Sequence, residues 1–160
     1  MSDEAEAKAA NVVMDLGGRS AAPSPPRMYR AMKPDGVHPM TGASATTLGA
    51  RAAKDLAVDT QGRVRPRIGG MSVRPRLLDI PAAFLPGRLK HLNRNAGGSN
   101  AVVVFRFGDA PFAAEPVTQD LSLRPDAPNH GVVEPSTEMS FDAYQQALWA
   151  TREGWVNGES

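Results

Sequence analysis

Apolar residues come in short runs, alternating or clustered, with glycine and proline between most of them, a pattern that predicts strands and turns with one helix. In "RMYRAMK", Met28, Arg30 and Met32 fall on one face and Tyr29 and Ala31 on the other, which predicts a strand stopped by Pro34. "GGMSV" (69–73), "AVVVFRFG" (101–108) and "HGVVEP" (130–135) read as further strands. Residues 101–108 are the most apolar run and predict a central strand. Segments 34–63 and 93–100 are dense in turn residues, and 77–92 is apolar but broken by Pro81 and Pro86.

The helix is "SFDAYQQALWATREGWV" (140–156), written with its own start signal. Ser140 is a good N-cap, Asp142 lies in the first turn, and Met139 and Tyr144 occupy the two positions of a hydrophobic staple. Phe141, Tyr144, Leu148 and Trp155 fall on one face, which is expected to pack on the sheet. Strands outnumber helices, so the expected class is α+β, with small twisted, mostly antiparallel sheets and a C-terminal amphipathic helix. Residues 1–26, with the small-residue and proline-rich "GGRSAAPSPPR", read as a flexible arm and linker, and 27–157 as the folded domain.

Composition narrows the chemistry. The chain has 160 residues, one domain by size. It has no cysteine, so thiolate catalysis, cysteine metal sites and disulfides are excluded. His38, His91 and His130 show no metal-ligand spacing, and no metal is expected. Phosphate-loop, dinucleotide-fold and nucleophile-elbow motifs do not occur. No apolar run approaches the roughly 20 residues of a membrane span, and the acidic start is unlike a signal peptide; a cytoplasmic protein is expected.

The formal charge of +1 gives no global case for nucleic acid. A local case exists in "GRVRPRIGGMSVRPR" (62–76), where Arg63, Arg65, Arg67, Arg74 and Arg76 have no acidic residue between them. They could track phosphates, line a cradle for a phosphorylated small molecule, or be solvated surface charges. Interleaved aromatics, which single-strand binders use to stack bases, do not occur there, so the first reading ranks below the second.

Three strand-like pieces each carry a residue able to do chemistry: Arg30 in "MYRA", Ser72 in "GGMSV" and Glu134 in "HGVVEP". An arginine on the first strand, a serine on a glycine-flanked strand and a glutamate on a late strand resemble the pattern of ADP-ribosyltransferases. The chain looks most like the ADP-ribosyltransferase-like toxins of bacterial type VI secretion, over roughly residues 28–156. The resemblance implies that NAD is bound as substrate. Arg30 would grip its pyrophosphate in a two-pronged way. The backbone of Gly69 and Gly70 would approach the nicotinamide ribose. Ser72 would orient Glu134, whose carboxylate would stabilise the oxocarbenium-like state. Tyr29 or Phe105 would stack on nicotinamide, and His130 would be a second ligand-facing residue. Val132 stands where arginine-modifying members carry an acidic or amide residue, two positions before the glutamate. The resemblance further implies action in the target cell's cytoplasm, a cognate immunity protein and an acceptor molecule. The alternatives are a nucleic-acid-binding module using 63–76 and a non-catalytic interaction protein of the same fold.

Overall fold

The computed structural model describes residues 24–160. The expected arm thus falls outside the described residues as far as residue 23, but its last prolines belong to the fold. The Pro25 carbonyl accepts from the backbone N–H groups of Asp109 (3.1 Å) and Ala110 (3.0 Å), and Pro26 is buried in a parallel bridge with Ala110. Proline lacks a donor but keeps its carbonyl, so an edge position suits it.

Among the described residues the chain is a small α+β protein, mostly antiparallel strands with one C-terminal helix. The strands are β1 (Met28–Met32), β2 (Pro34–Asp35), β3 (His38–Pro39), β4 (Arg63–Val64), β5 (Met71–Val73), β6 (Val103–Phe107), β7 (Leu121–Ala127), β8 (His130–Pro135), β9 (Met139–Ser140) and β10 (Val156–Asn157); α1 is Phe141–Trp149. Two three-stranded sheets dominate, β1-β6-β10 and β5-β8-β7, with β6 and β8 at their centres. The run 101–108 thus takes the central place expected of it in its own sheet. An antiparallel bridge between Tyr29 and Arg74 joins the two sheets edge to edge through β1 and β5. The two strands of the Arg-rich stretch do not pair with each other: β4 pairs with β9 and β5 with β8.

The alternation read in "MYRAM" holds and is used twice. Met28 and Met32 enter the larger core with Phe105, Leu123, Tyr144 and Trp155, while Ala31, with Tyr29 against it, joins a smaller core with Ile80, Leu85 and Val104. At roughly 25 cal/mol per Å² of apolar surface, burial on both faces fixes β1 firmly.

Helix α1 begins where expected: the Ala143 N–H donates to Ser140 Oγ at 3.0 Å. It ends earlier than the periodicity suggested. Thr151 Oγ1 donates back to the Leu148 carbonyl at 2.7 Å, a 3-10 turn spans Arg152–Gly154, and Trp155 is buried from the segment entering β10. Threonine back-bonding competes with helix continuation. Buried helix side chains then organise the strands and loops. The Tyr144 hydroxyl accepts from Met71 N–H (3.1 Å) and donates to the Val133 carbonyl (2.5 Å), bridging β5 and β8. Burial pushes its pKa up. Gln145 pairs with both backbone groups of Ala50, at 2.8 and 3.0 Å, fixing loop 40–50 beside β1. Among the described residues, no helix is long and apolar enough to cross a membrane.

Candidate functional site

On sheet β5-β8-β7 the pleat sends Met71, Val73, Leu123 and Val133 into the larger core. The residues between them, Ser72, Arg124, His130, Val132 and Glu134, share the opposite face by the two-residue period. Ser72 stands opposite Val132 and so is diagonal to both His130 and Glu134. Diagonal neighbours lie about 7–8 Å apart, within reach of long side chains. Ser72 is bonded to His130: Oγ and Nε2 are 2.6 Å apart. On its other nitrogen, Nδ1, His130 meets Asp126 Oδ1, also at 2.6 Å.

Asp126 reaches this place through a defect in the ladder. The β7–β8 pairing shifts register between Pro125 and Ala127, so Asp126 is the extra residue of a bulge. Bulges re-aim side chains, and this one turns a carboxylate onto the imidazole across the hairpin. An ionised carboxylate only accepts, so Nδ1 carries the hydrogen, and the Nε2 of a neutral ring accepts from Ser72. The side chains of His130 and Asp126 are 25% and 38% exposed, so the relay meets solvent.

Beside Ser72 lies a cavity of about 180 Å³ bordered by Tyr29, Arg30, Arg51, Asp55 and Arg74. Ile80, Pro81 and Phe84 supply its apolar side. It lies where β1 and β5 diverge beyond the Tyr29–Arg74 bridge, and there the Arg30 guanidinium takes up the loosened backbone groups. Arg30 Nη1 donates to the Ser72 carbonyl (2.9 Å), Nε to that of Thr47 (3.2 Å), and Nη2 to those of Ser44 (3.1 Å), Thr47 (2.9 Å) and Gly49 (3.4 Å). Burial lowers its pKa to about 10, with Asp55 pulling the other way, so it remains cationic at neutral pH. Arg51 pairs with Asp55 at 2.9 Å, and that hydrogen bond raises its pKa.

The remaining expected site residues are placed elsewhere. Glu134 is 7% exposed and borders a separate hollow of about 470 Å³ with Arg67 and Arg124. Its Oε1 accepts from Arg124 Nε (2.8 Å) and the Arg67 backbone N–H (3.0 Å). Ser72 therefore orients His130, and Glu134 is held by arginine and backbone instead. Gly69 and Gly70 serve close packing. Gly69 has φ +114°, and a side chain on it would strike the Asp55 carbonyl; one on Gly70 would strike the Val133 carbonyl. That is the side of the neighbouring chain segments, which accounts for both glycines without a ribose. Phe105 is in the larger core, whereas Tyr29 borders the cavity.

The basic stretch is dispersed. Arg63 pairs with Glu138 (3.2 Å), Arg65 with Asp59 (3.9 Å) and Arg76 with Asp79 (2.9 Å), and Arg74 donates to the Asn129 carbonyl (3.2 Å). Asp126, Arg51 and Asp55 are the site residues that the sequence reading passed over. Only for Asp126 was there a signal: in "DAPNH" a carboxylate stands four residues before a histidine across turn-forming proline and asparagine.

No family model, no curated protein and no solved structure matches this chain.

Proposed function

We propose that this chain is an NAD-binding protein of the ADP-ribosyltransferase type, a bacterial toxin acting in the cytoplasm of a target cell and restrained by a cognate immunity protein. The toxin and its immunity partner rest on the sequence resemblance. The observation that carries the NAD part is the cavity beside Ser72, with three arginines and one carboxylate, Asp55, among the residues around it and with Tyr29 and Phe84 on its border. A cationic balance suits a pyrophosphate, and an aromatic face suits nicotinamide. Sites enclosing whole drug-sized ligands run to about 300–1,000 Å³, so about 180 Å³ takes the nicotinamide ribose while the adenosine half lies over the rim.

Roles shift within this reading. Arg30 frames the cavity through backbone carbonyls, which leaves Arg51 and Arg74 to meet phosphate oxygens. Asp55, rather than Glu134, is the carboxylate at hand where the ribose becomes cationic. Calorimetric titration with NAD, paired with a nicotinamide-release assay, tests it. Arg74→Gln should weaken NAD binding about tenfold, the worth of one charge-assisted hydrogen bond, with Glu134→Gln near wild type. Wild-type affinity in Arg74→Gln together with lost turnover in Glu134→Gln would overturn the assignment to this cavity.

A further inference from the structure

The geometry points to a second chemistry at Ser72: we infer that Ser72, His130 and Asp126 form a nucleophile, base and orienting carboxylate that cleave a small anionic carboxylic ester in the cavity that Ser72 borders. The inference stands apart from NAD and needs only these three side chains and their surroundings. A serine hydroxyl is a weak nucleophile until a base takes its proton, and the arrangement that achieves this is defined by contacts rather than sequence order. Both contacts are present, Ser72 Oγ to His130 Nε2 and His130 Nδ1 to Asp126 Oδ1, each 2.6 Å. Asp126 on Nδ1 fixes the tautomer that leaves Nε2 able to accept.

The surroundings supply the other requirements. Ser72 opens onto the cavity with Tyr29, Ile80 and Phe84, apolar surface for an acyl chain. Arg74, two residues along the same face of the chain, has Nη1 on the Asn129 carbonyl and borders the same cavity. Its fork can donate to a developing oxyanion, and with Arg51 it sets the preference for an anionic substrate.

In the first half-reaction the Ser72 proton passes to Nε2 as Oγ bonds the ester carbonyl carbon. The tetrahedral intermediate then expels the alcohol, which leaves with the proton from His130. In the second, water loses a proton to Nε2, attacks the acyl-serine carbonyl, and Ser72 leaves reprotonated. No oxidant or further reactant is consumed.

A fluorophosphonate probe reads the nucleophile directly, since Oγ bonds phosphorus, the P–F bond breaks, fluoride leaves and the proton goes to the imidazole. Incubated with the whole purified chain and followed by mass spectrometry, it should give one adduct on Ser72, absent in Ser72→Ala. His130→Ala should slow labelling at least about a hundredfold, the usual worth of a general base. Asp126→Asn should slow it at least about tenfold, because an amide can donate to Nδ1 and reverse the tautomer. Both partners are partly exposed, and an unchanged circular dichroism spectrum confirms that each variant is folded. No adduct on Ser72 of the folded wild-type chain, or labelling equally fast in folded His130→Ala, would overturn the inference.

Discussion

The two ends of β8 carry similar chemistry in opposite states. At one end His130 stands partly exposed, its two nitrogens contacting Ser72 and Asp126 at 2.6 Å each. At the other end Glu134 is buried, and its Oε1 is held by a guanidinium and a backbone N–H. Both side chains leave the same face of the strand, and Val132, itself buried, separates them. The difference lies in burial and in whether the contacts are exchangeable. A buried carboxylate fixed by an arginine stabilises a conformation, whereas a half-exposed hydrogen-bond relay offers a hydroxyl to a ligand. The same contrast separates the arginines. Arg30 is spread over the carbonyls of Ser44, Thr47, Gly49 and Ser72, while Arg74 is set at the solvent edge of the cavity.

The largest effect is expected where the frame of the His130 end is removed. Arg30→Ala would leave the buried carbonyls of Thr47 and Gly49 and the partly buried carbonyl of Ser72 without their Arg30 donor. Each such orphan costs about 1–3 kcal/mol, and partial relaxation brings the total to the order of 3–5 kcal/mol. The thermal midpoint should fall by more than about 10 °C. A small drop accompanied by lost ligand binding would instead make Arg30 a ligand contact and blur the contrast with Arg74.

Next is Glu134→Gln, which sharpens the comparison from its other end. The amide oxygen can still accept from the Arg67 N–H, but the charge pairing with Arg124 is lost at a buried position. A loss of about 1–2 kcal/mol is expected, read as a lower denaturant midpoint with unchanged slope. Chemistry at Ser72 should be untouched, since Glu134 borders the other hollow. A variant of wild-type stability that had lost activity would reverse the roles assigned to the two ends.

What could be read in the chain follows the range over which each feature is decided. Strands β1, β5, β6 and β8 are written in local apolar patterning, and the start of α1 in its cap. β7 escaped notice because Ser122, Arg124, Pro125 and Asp126 make it polar, although Leu121 and Leu123 keep the alternation. The early end of α1 depends on Thr151 and on Trp155 finding the larger core, a tertiary matter. In the site, Arg30 and Ser72 meet through the Ser72 carbonyl, but the surroundings of Arg30 are set by carbonyls of a loop 14–19 residues away that no local pattern discloses. His130 was seen without Asp126, because a bulge is a property of two paired strands and not of one. Gly69 and Gly70 signalled a close approach, and which surface approaches is fixed only once Val133 and Asp55 are in place.

The smallest effect is expected from the stretch whose charge is most conspicuous in the sequence. Arg63, Arg65 and Arg76 have side chains 40%, 52% and 75% exposed, each paired with a nearby carboxylate. Exposed pairs contribute about 0–1 kcal/mol apiece and less with added salt, so replacing all three with glutamine should leave the thermal midpoint within a few degrees. Asp59 feels the charges of Arg65 and Arg63 less than the backbone N–H of Arg63. The Arg63 backbone N–H first, then that of Gln61 and the Arg65 and Arg63 charges, outweigh desolvation and hold its carboxyl below the ordinary aspartate range. A folded-state pKa below the unfolded one stabilises the fold above the unfolded value, and that contribution fades as pH falls through the folded value. The triple variant should move the Asp59 titration upward only slightly, because the largest contribution comes from the backbone. Oligonucleotide binding by the wild-type chain should be negligible at physiological salt. Were these arginines a phosphate track, affinity would fall by about one log unit per log unit of salt for each phosphate neutralised, and the triple variant would flatten that slope. Observing that slope would give the molecule a third functional surface, belonging to neither end of β8.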